Sequence, residues 1–184
     1  FSQFTKNKTT LNKIIKIYKN SAGIPRETTL KKVFKEVLGK TISNQEVENL
    51  SSDFSKRIFR RLETIELLKG FLEYLTIHKE INKHIISGAP NSDIFYLIKK
   101  LNLSKYFKSI QGGPLNKKNE LTHISKLTKV KAKDIVYFGD QKNDCIAAKS
   151  AGVGFIGINA GSNLDMMKCK QFPDFDKLIA YEMA

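Results

Sequence analysis

Two carboxylates, Asp140 and Asp144, stand four residues apart directly behind the apolar run Ile135-Val-Tyr-Phe138. A strand over that run delivers Asp140 to its carboxyl edge, Gly139 permits a tight turn, and Asp144 falls in the first turn of the next helix. Such a pair can converge on one hard divalent cation. Mg²⁺ takes one or two carboxylates and completes its shell with waters and phosphate oxygens. The structural alternative makes Asp140 a helix cap and Asp144 an acid at the positive end of the helix dipole. An isolated GDxxxD favours that alternative. The buried strand before this one, and Ala147-Ala-Lys-Ser-Ala-Gly152-Val after it, favour the metal.

Two weaker signals precede it. Ile85-Ile-Ser87-Gly-Ala-Pro90 ends an apolar run in a hydroxyl followed by backbone amides, a combination that holds a phosphate oxygen well. Gly112-Gly-Pro-Leu-Asn-Lys117-Lys118 is a Gly-rich turn that sets a lysine before a helix, where its ammonium can act as a point charge for phosphate. Singly, Ser87 reads as a turn residue and Lys117 as solvated surface. Their order after successive strands gives them weight.

The elements that must position these groups follow from periodicity. Leu11, Ile14, Ile15 and Tyr18 recur at helical spacing, and Ser21-Ala-Gly-Ile-Pro25 breaks the pattern. Thr28 or Thr29 can cap a second helix through Leu30, Val33, Phe34, Val37 and Leu38, which Gly39 ends. Ser43 with Glu46 is a capping-box signature for a third helix burying Val47, Leu50, Phe54 and Ile58. From about residue 62 the character changes. Helices are predicted near 66–77, 93–101, 119–127 and 143–151, and strands within 81–87, 109–111, 135–138 and 154–158. Alternating strands and helices imply a parallel sheet, and apolar runs without alternation imply helices on both faces. Chemistry in such sheets gathers at the carboxyl ends of the strands.

Composition sets the outer bounds. The chain has 184 residues, 41% of them hydrophobic, enough for a packed core. No run approaches the roughly 18 apolar residues of a membrane span, and the first residues lack a secretory signal. Two cysteines, Cys145 and Cys169, exclude a disulfide scaffold and fit a reducing cytoplasm. Cys145, among Ile and Ala on a helix, reads as packing. His78, His84 and His123 are too widely spaced to suggest zinc. The net charge of +14 attracts anions. Its lysines are scattered along amphipathic segments without aromatic interleaving, which argues against a dedicated nucleic-acid module.

The order of Ser87 after a strand, Lys117 before a helix, then strand-GDxxxD-helix resembles the haloacid dehalogenase superfamily, in the branch containing phosphoglycolate phosphatase and beta-phosphoglucomutase. The likeness covers nearly the whole chain: residues 1–62 resemble the helical cap and 63–184 the Rossmann-like core, with its first core strand missing. The resemblance implies that Ser87, with Gly88, binds phosphate, that Lys117 (or its neighbour Lys118) neutralises it, and that Asp140 and Asp144 bind Mg²⁺. In the cap, Gly23-Ile-Pro-Arg26-Glu-Thr-Thr-Leu30 is similar to the family's specificity loop, where an arginine grips a substrate's remote anionic group; a plain surface role suits Arg26 equally. Residues Arg61–Thr64, at the cap-core junction, are expected to flex.

The implied activity is phosphoryl transfer from a small phosphorylated metabolite through an aspartyl-phosphate, with a phosphomutase or a non-catalytic module for an anionic partner as alternatives. The DxDxT or DxDxV motif that carries the family's nucleophile is absent from these 184 residues. With Phe1 in place of Met, the expectation is a fragment of a longer protein, inactive as given. Substrate identity and oligomeric state have no signature in the sequence.

Overall fold

The computed structural model describes residues 4–21, 24–61, 65–113, 116–159, 164–165 and 167–184. Three helices open the chain: α1 (Lys8–Asn20), α2 (Arg26–Glu36) and α3 (Asn44–Arg61). Asn7 caps α1 through its side-chain oxygen, which accepts from the Thr10 N–H at 3.1 Å. The Ser43–Glu46 capping box forms, with Ser43 N–H donating to the Glu46 carboxylate at 2.9 Å and Glu46 N–H to the Ser43 hydroxyl at 3.2 Å. Leu30, Phe34, Ile42 and Val47 make the core of this bundle. Two expectations need correction. Helix α2 starts at Arg26, ahead of Thr28: Pro25 is its N-cap, with φ −53° and ψ 139°, and its carbonyl accepts the first helical bond from the Thr29 N–H at 3.1 Å, so no threonine side chain is needed as a cap. Phe54 does not join the buried side; it stays 42% exposed, and its ring lies under the Arg26 guanidinium.

The remainder alternates helix and strand: α4 (Phe71–Ile77), β1 (His84–Ile86), α5 (Asn91–Lys100), β2 (Ser109–Gln111), α6 (Lys117–Thr128), β3 (Val136–Gly139), α7 (Lys142–Ala151), β4 (Gly154–Ile158), β5 (Lys170–Phe172) and α8 (Phe175–Glu182). All pairing is parallel. β1 pairs with β2, and β3-β4-β5 form a second sheet, so among the described residues β1 and β3 each pair on one edge only. Helices cover both faces. Tyr137 points with Ile86 into a core shared with Leu121 and Ile124 of α6 and Ala147 and Ala148 of α7. Phe138 points the other way, toward Phe175 and Leu178 of α8 and Tyr74 of α4. Leu75, Ile94 and Ile98 close over Ile85 and Ile110.

Helix α4 begins five residues later than its apolar pattern predicts. Gly70 adopts φ +71°, and a Cβ there would lie 2.5 Å from the Asp176 backbone nitrogen, so the chain turns at Gly70 to let α8 in. β5 and α8 lie beyond the last element read from the sequence. The expected boundary at 62/63 falls outside the described residues. The first three helices nevertheless meet the rest of the chain through a Phe59–Tyr96 ring contact at 4.3 Å and an Arg26–Asp93 ion pair. Among the described residues no helix is long and apolar enough to cross a membrane.

Candidate active site

The carboxyl end of β3 and the first turn of α7 place Asp144 at the centre of a buried corner. Gln141 precedes the helix, and its backbone N–H donates to Asp144 Oδ2 at 3.2 Å. The Asp144 N–H returns a bond to the Gln141 carbonyl at 2.9 Å. This fold-back is possible because residue 139 has no side chain: a Cβ there would sit 2.6 Å from the Asp144 Cβ. The glycine therefore permits the close approach of the acid, beyond easing a turn.

Two further donors meet Asp144 Oδ1. The Lys117 ammonium, on the first residue of α6, lies at 2.5 Å, and the Tyr137 hydroxyl at 3.2 Å. Asn116 fixes the start of α6 by accepting from the Asn119 N–H at 3.2 Å, so the turn after β2 delivers Lys117 to a set position. Both partners of the ion pair are buried, at 13% and 5% side-chain exposure, where removal of either leaves an uncompensated charge. Burial and the adjacent Asp144 push the Tyr137 hydroxyl well above the usual tyrosine range, so it keeps its proton and donates. The same hydroxyl lies 3.5 Å from the Ile86 carbonyl, at the end of β1, one residue before Ser87. The ends of β1 and β3 and the starts of α6 and α7 thus meet around one tyrosine.

Ser87 leaves β1 with its backbone N–H bonded to the Gln111 carbonyl at 2.9 Å. Its hydroxyl oxygen accepts from the Ala89 N–H at 3.2 Å, leaving the hydroxyl proton to donate elsewhere. The loop is laced to the end of β2: Gly113 N–H reaches the Ala89 carbonyl at 2.7 Å, and Gly112 N–H reaches Asn91 Oδ1 at 2.8 Å. Gly88 lies with Pro90 and Gly113 on one side of a cleft of about 20 Å³, with Pro25, Arg26 and Glu27 on the other. Pro114 and Leu115, in the turn before Lys117, lie outside the described residues.

The remaining candidates are more dispersed. Asp140 is exposed, and Gln141 Nε2 donates to its Oδ2 at 2.6 Å; it does not cap α7, whose preceding residue is Gln141. Lys118 is exposed and lines a shallow groove with Asn119, Thr122, His123 and Lys126. The Arg26 guanidinium is already engaged, with Asp93 at 2.6 Å and Ser55 at 2.7 Å. Of the residues singled out by sequence, Lys117 and Asp144 are in contact and Ser87 adjoins their corner.

Tyr137, Gln141 and Asp93 were missed. A tyrosine inside a buried strand was the available signal for the first, because a buried phenol needs a hydrogen-bond partner. Cys145 packs against Leu164 with no exposure, and burial, with Cys169 beside it, pushes its thiol pKa up, consistent with a packing role.

Asp140 and Asp144 offer hard oxygen donors on one strand-helix turn, a donor set suited to Mg²⁺ with waters and substrate oxygens filling the shell. No cluster of three or more Asp, Glu, His or Cys side chains placed to hold a metal occurs among the described residues.

A family model described as haloacid dehalogenase-like hydrolase matches residues 5–158. A phosphoglycolate phosphatase from Pseudomonas fluorescens is 25% identical over 141 residues, which span 70% of this chain and 52% of that relative. Another phosphoglycolate phosphatase, from Vibrio parahaemolyticus, is 30% identical over 96 residues, 50% of this chain and 42% of that relative. The chain thus spans about half the length of the curated relatives it matches. Among solved structures, a predicted phosphoglycolate phosphatase from Haemophilus somnus superposes with TM-score 0.69 at 18% identity, covering 87% of this chain and 79% of that one. A haloacid dehalogenase-like hydrolase from Streptococcus pneumoniae gives 0.66 at 14% identity, covering 96% and 82%. At these identities the structural likeness establishes the α/β fold.

Proposed function

The chain belongs to the haloacid dehalogenase-like hydrolases, and from that membership we propose that the intact protein is a Mg²⁺-dependent phosphatase of a small phosphorylated metabolite, similar to phosphoglycolate phosphatase. The observation that carries this reading is the buried Lys117–Asp144–Tyr137 corner beside the Ser87 loop. It joins a cation, an acid and a hydroxyl-bearing loop at one end of parallel strands.

A phosphate monoester dianion repels an anionic nucleophile, so the site must cancel charge before phosphorus can be attacked. Lys117 contributes an ammonium with three donor hydrogens, and Asp144 holds it in place while Tyr137 and the Gln141 amide hold Asp144. Ser87 donates its hydroxyl proton to a phosphate oxygen, and the Gly88 amide lies beside it. Asp140 and Asp144 would hold Mg²⁺, which when bound supplies further positive charge at the phosphoryl oxygens. The three-helix segment closes the cleft from above through Pro25, Arg26 and Glu27 and limits water at the reacting phosphorus. The nucleophile is assigned to an aspartate outside these residues, in a DxDxT or DxDxV segment, and the edges of β1 and β3 that are unpaired among the described residues suit an added parallel strand. Two free cysteines packed together suit a reducing compartment, and we place the protein in the cytoplasm.

The test is phosphate release by the full-length protein from a panel of metabolites, with Mg²⁺ and with a chelator. Turnover that requires Mg²⁺ and falls at least about 100-fold in Asp140→Asn is expected. Chelator-resistant turnover, or an undiminished variant, removes Asp140 from its assigned role. Product isomers in place of free phosphate would instead identify a mutase.

A further inference from the structure

The cleft between Gly88 and Arg26 has an unusual charge balance. Arg26 enters it from the first turn of α2, and Gly88 follows the proposed phosphate-binding Ser87. The Arg26 Nη1 group donates to Ser55 Oγ at 2.7 Å and to the Ser51 carbonyl at 3.1 Å. Nη2 donates to Asp93 Oδ2 at 2.6 Å, and the guanidinium lies 4.6 Å from the centre of the Phe54 ring. Asp93 comes from α5, which starts directly after the Ser87 loop, and its other oxygen accepts from Ser92 Oγ at 3.2 Å. Arg26 and Asp93 retain 11% and 5% side-chain exposure. Each therefore finds its counter-charge in the other, largely out of water.

We infer, on the phosphatase reading above, that Asp93 is a specificity-determining residue: by neutralising Arg26 it makes the site select phosphate monoesters whose distal end carries no charge. A substrate tail ending in a carboxylate would meet a guanidinium already paired, and would have to share it with Asp93 or expel Asp93 from it. Either course sets two carboxylates side by side, or leaves a buried one without its partner, and both are unfavourable. A hydroxyl tail accepts an N–H from the same guanidinium and leaves the ion pair intact. Asp93 acts here through Arg26, as a positioning and neutralising group, and takes no part in the chemistry at phosphorus.

Two esters of matched length separate the cases in the full-length enzyme: 2-phosphoglycolate, with a carboxylate tail, and 2-hydroxyethyl phosphate, with a hydroxyl. The parent is expected to show the higher kcat/KM for 2-hydroxyethyl phosphate. Asp93→Asn, which keeps the shape and removes the charge, shifts the ratio toward 2-phosphoglycolate by about 10-fold or more, chiefly through KM. Adding Arg26→Met abolishes that shift, and Asp93→Glu retains the parent's ratio. A parent that favours 2-phosphoglycolate by 10-fold overturns the inference without any variant having to fold. A ratio unmoved by Asp93→Asn overturns it too, and leaves the phosphatase reading standing. Release of phosphate from neither ester, nor from p-nitrophenyl phosphate, overturns the phosphatase reading and this inference together.

Discussion

Among the described residues two acid–base pairs lie largely out of water at nearly the same length, 2.5 Å for Lys117–Asp144 and 2.6 Å for Arg26–Asp93, and they are saturated in opposite senses. In the first, the acid collects the donors: Lys117, the Tyr137 hydroxyl and the Gln141 amide all converge on Asp144. In the second, the cation collects the acceptors: Asp93, Ser51 and Ser55 surround Arg26, and Phe54 lies against it. An ammonium on a flexible stem beside an over-bonded acid retains hydrogens for an incoming phosphate. A planar guanidinium locked on several sides is committed to the seam between α2, α3 and α5. On the proposed reading, the difference makes one pair a receptor for phosphate and the other a fastening that neutralises its own guanidinium.

Breaking each pair from its acid side tests that distinction. Asp144→Ala removes the acceptor for three donors at once and strands the Lys117 ammonium in a buried site, so a loss of about 3–5 kcal/mol in urea denaturation is expected. Asp93→Asn removes one of several partners of Arg26, which keeps both serines and the ring, so a smaller loss of about 2 kcal/mol is expected. Equal losses would erase the contrast between the pairs. Gly139→Ala leaves every charged partner in place but drives a methyl group against the Asp144 side chain; about 1–3 kcal/mol is expected from overpacking. If Gly139→Ala melts like the parent, Asp144 has room to move and the receptor is looser than its distances suggest.

The receptor was more legible in the sequence than the fastening, for a physical reason. Asp140, Gly139 and Asp144 occupy one strand-turn-helix unit whose conformation is set locally, and Lys117 lies in the first turn of the preceding helix. The strand range 154–158 came out as expected because its β-prone Phe155, Ile156 and Ile158 follow the breaker Gly152, and 109–111, whose one β-prone residue is Ile110, because the Gly112-Gly113-Pro114 breaker follows it in sequence. Arg26 and Asp93 are 67 residues apart, and nothing local distinguishes Asp93 from any other acid in a first helical turn. Phe54 fitted a helical apolar stripe, yet the guanidinium that covers it comes from another helix. Leu67 and Leu68 extended the helical pattern of α4 backward, and only the packing of α8 onto Gly70 shows why it stops. β5 is three residues with a lysine and a glutamine, too short for periodicity. Asp174 before α8 was a usable capping signal: it accepts from the Lys177 N–H at 2.9 Å.

A half-buried imidazole at the opposite end of β1, His84, sharpens the comparison because it lacks a counter-charge among the described residues. His84 Nδ1 lies 2.7 Å from Ser109 Oγ across the parallel pair, while Nε2 is buried with no partner among the described residues. Burial holds the imidazole pKa below its ordinary value. The folded state therefore resists protonation, and as pH falls through about 6.5 the unfolded chain binds the proton first. The stability tied to neutral His84 is complete above that pH and declines below it. One proton limits the slope to about 1.4 kcal/mol per pH unit, which makes this the smallest of the expected effects. Unfolding free energies of the parent and His84→Asn, measured across pH 5 to 8, should keep a constant separation on the alkaline side and change it only on the acid side if this imidazole is the group responsible, with the parent the steeper of the two as acid is added. Parallel curves would place the acid sensitivity elsewhere and leave His84 as a hydrogen-bonded packing residue.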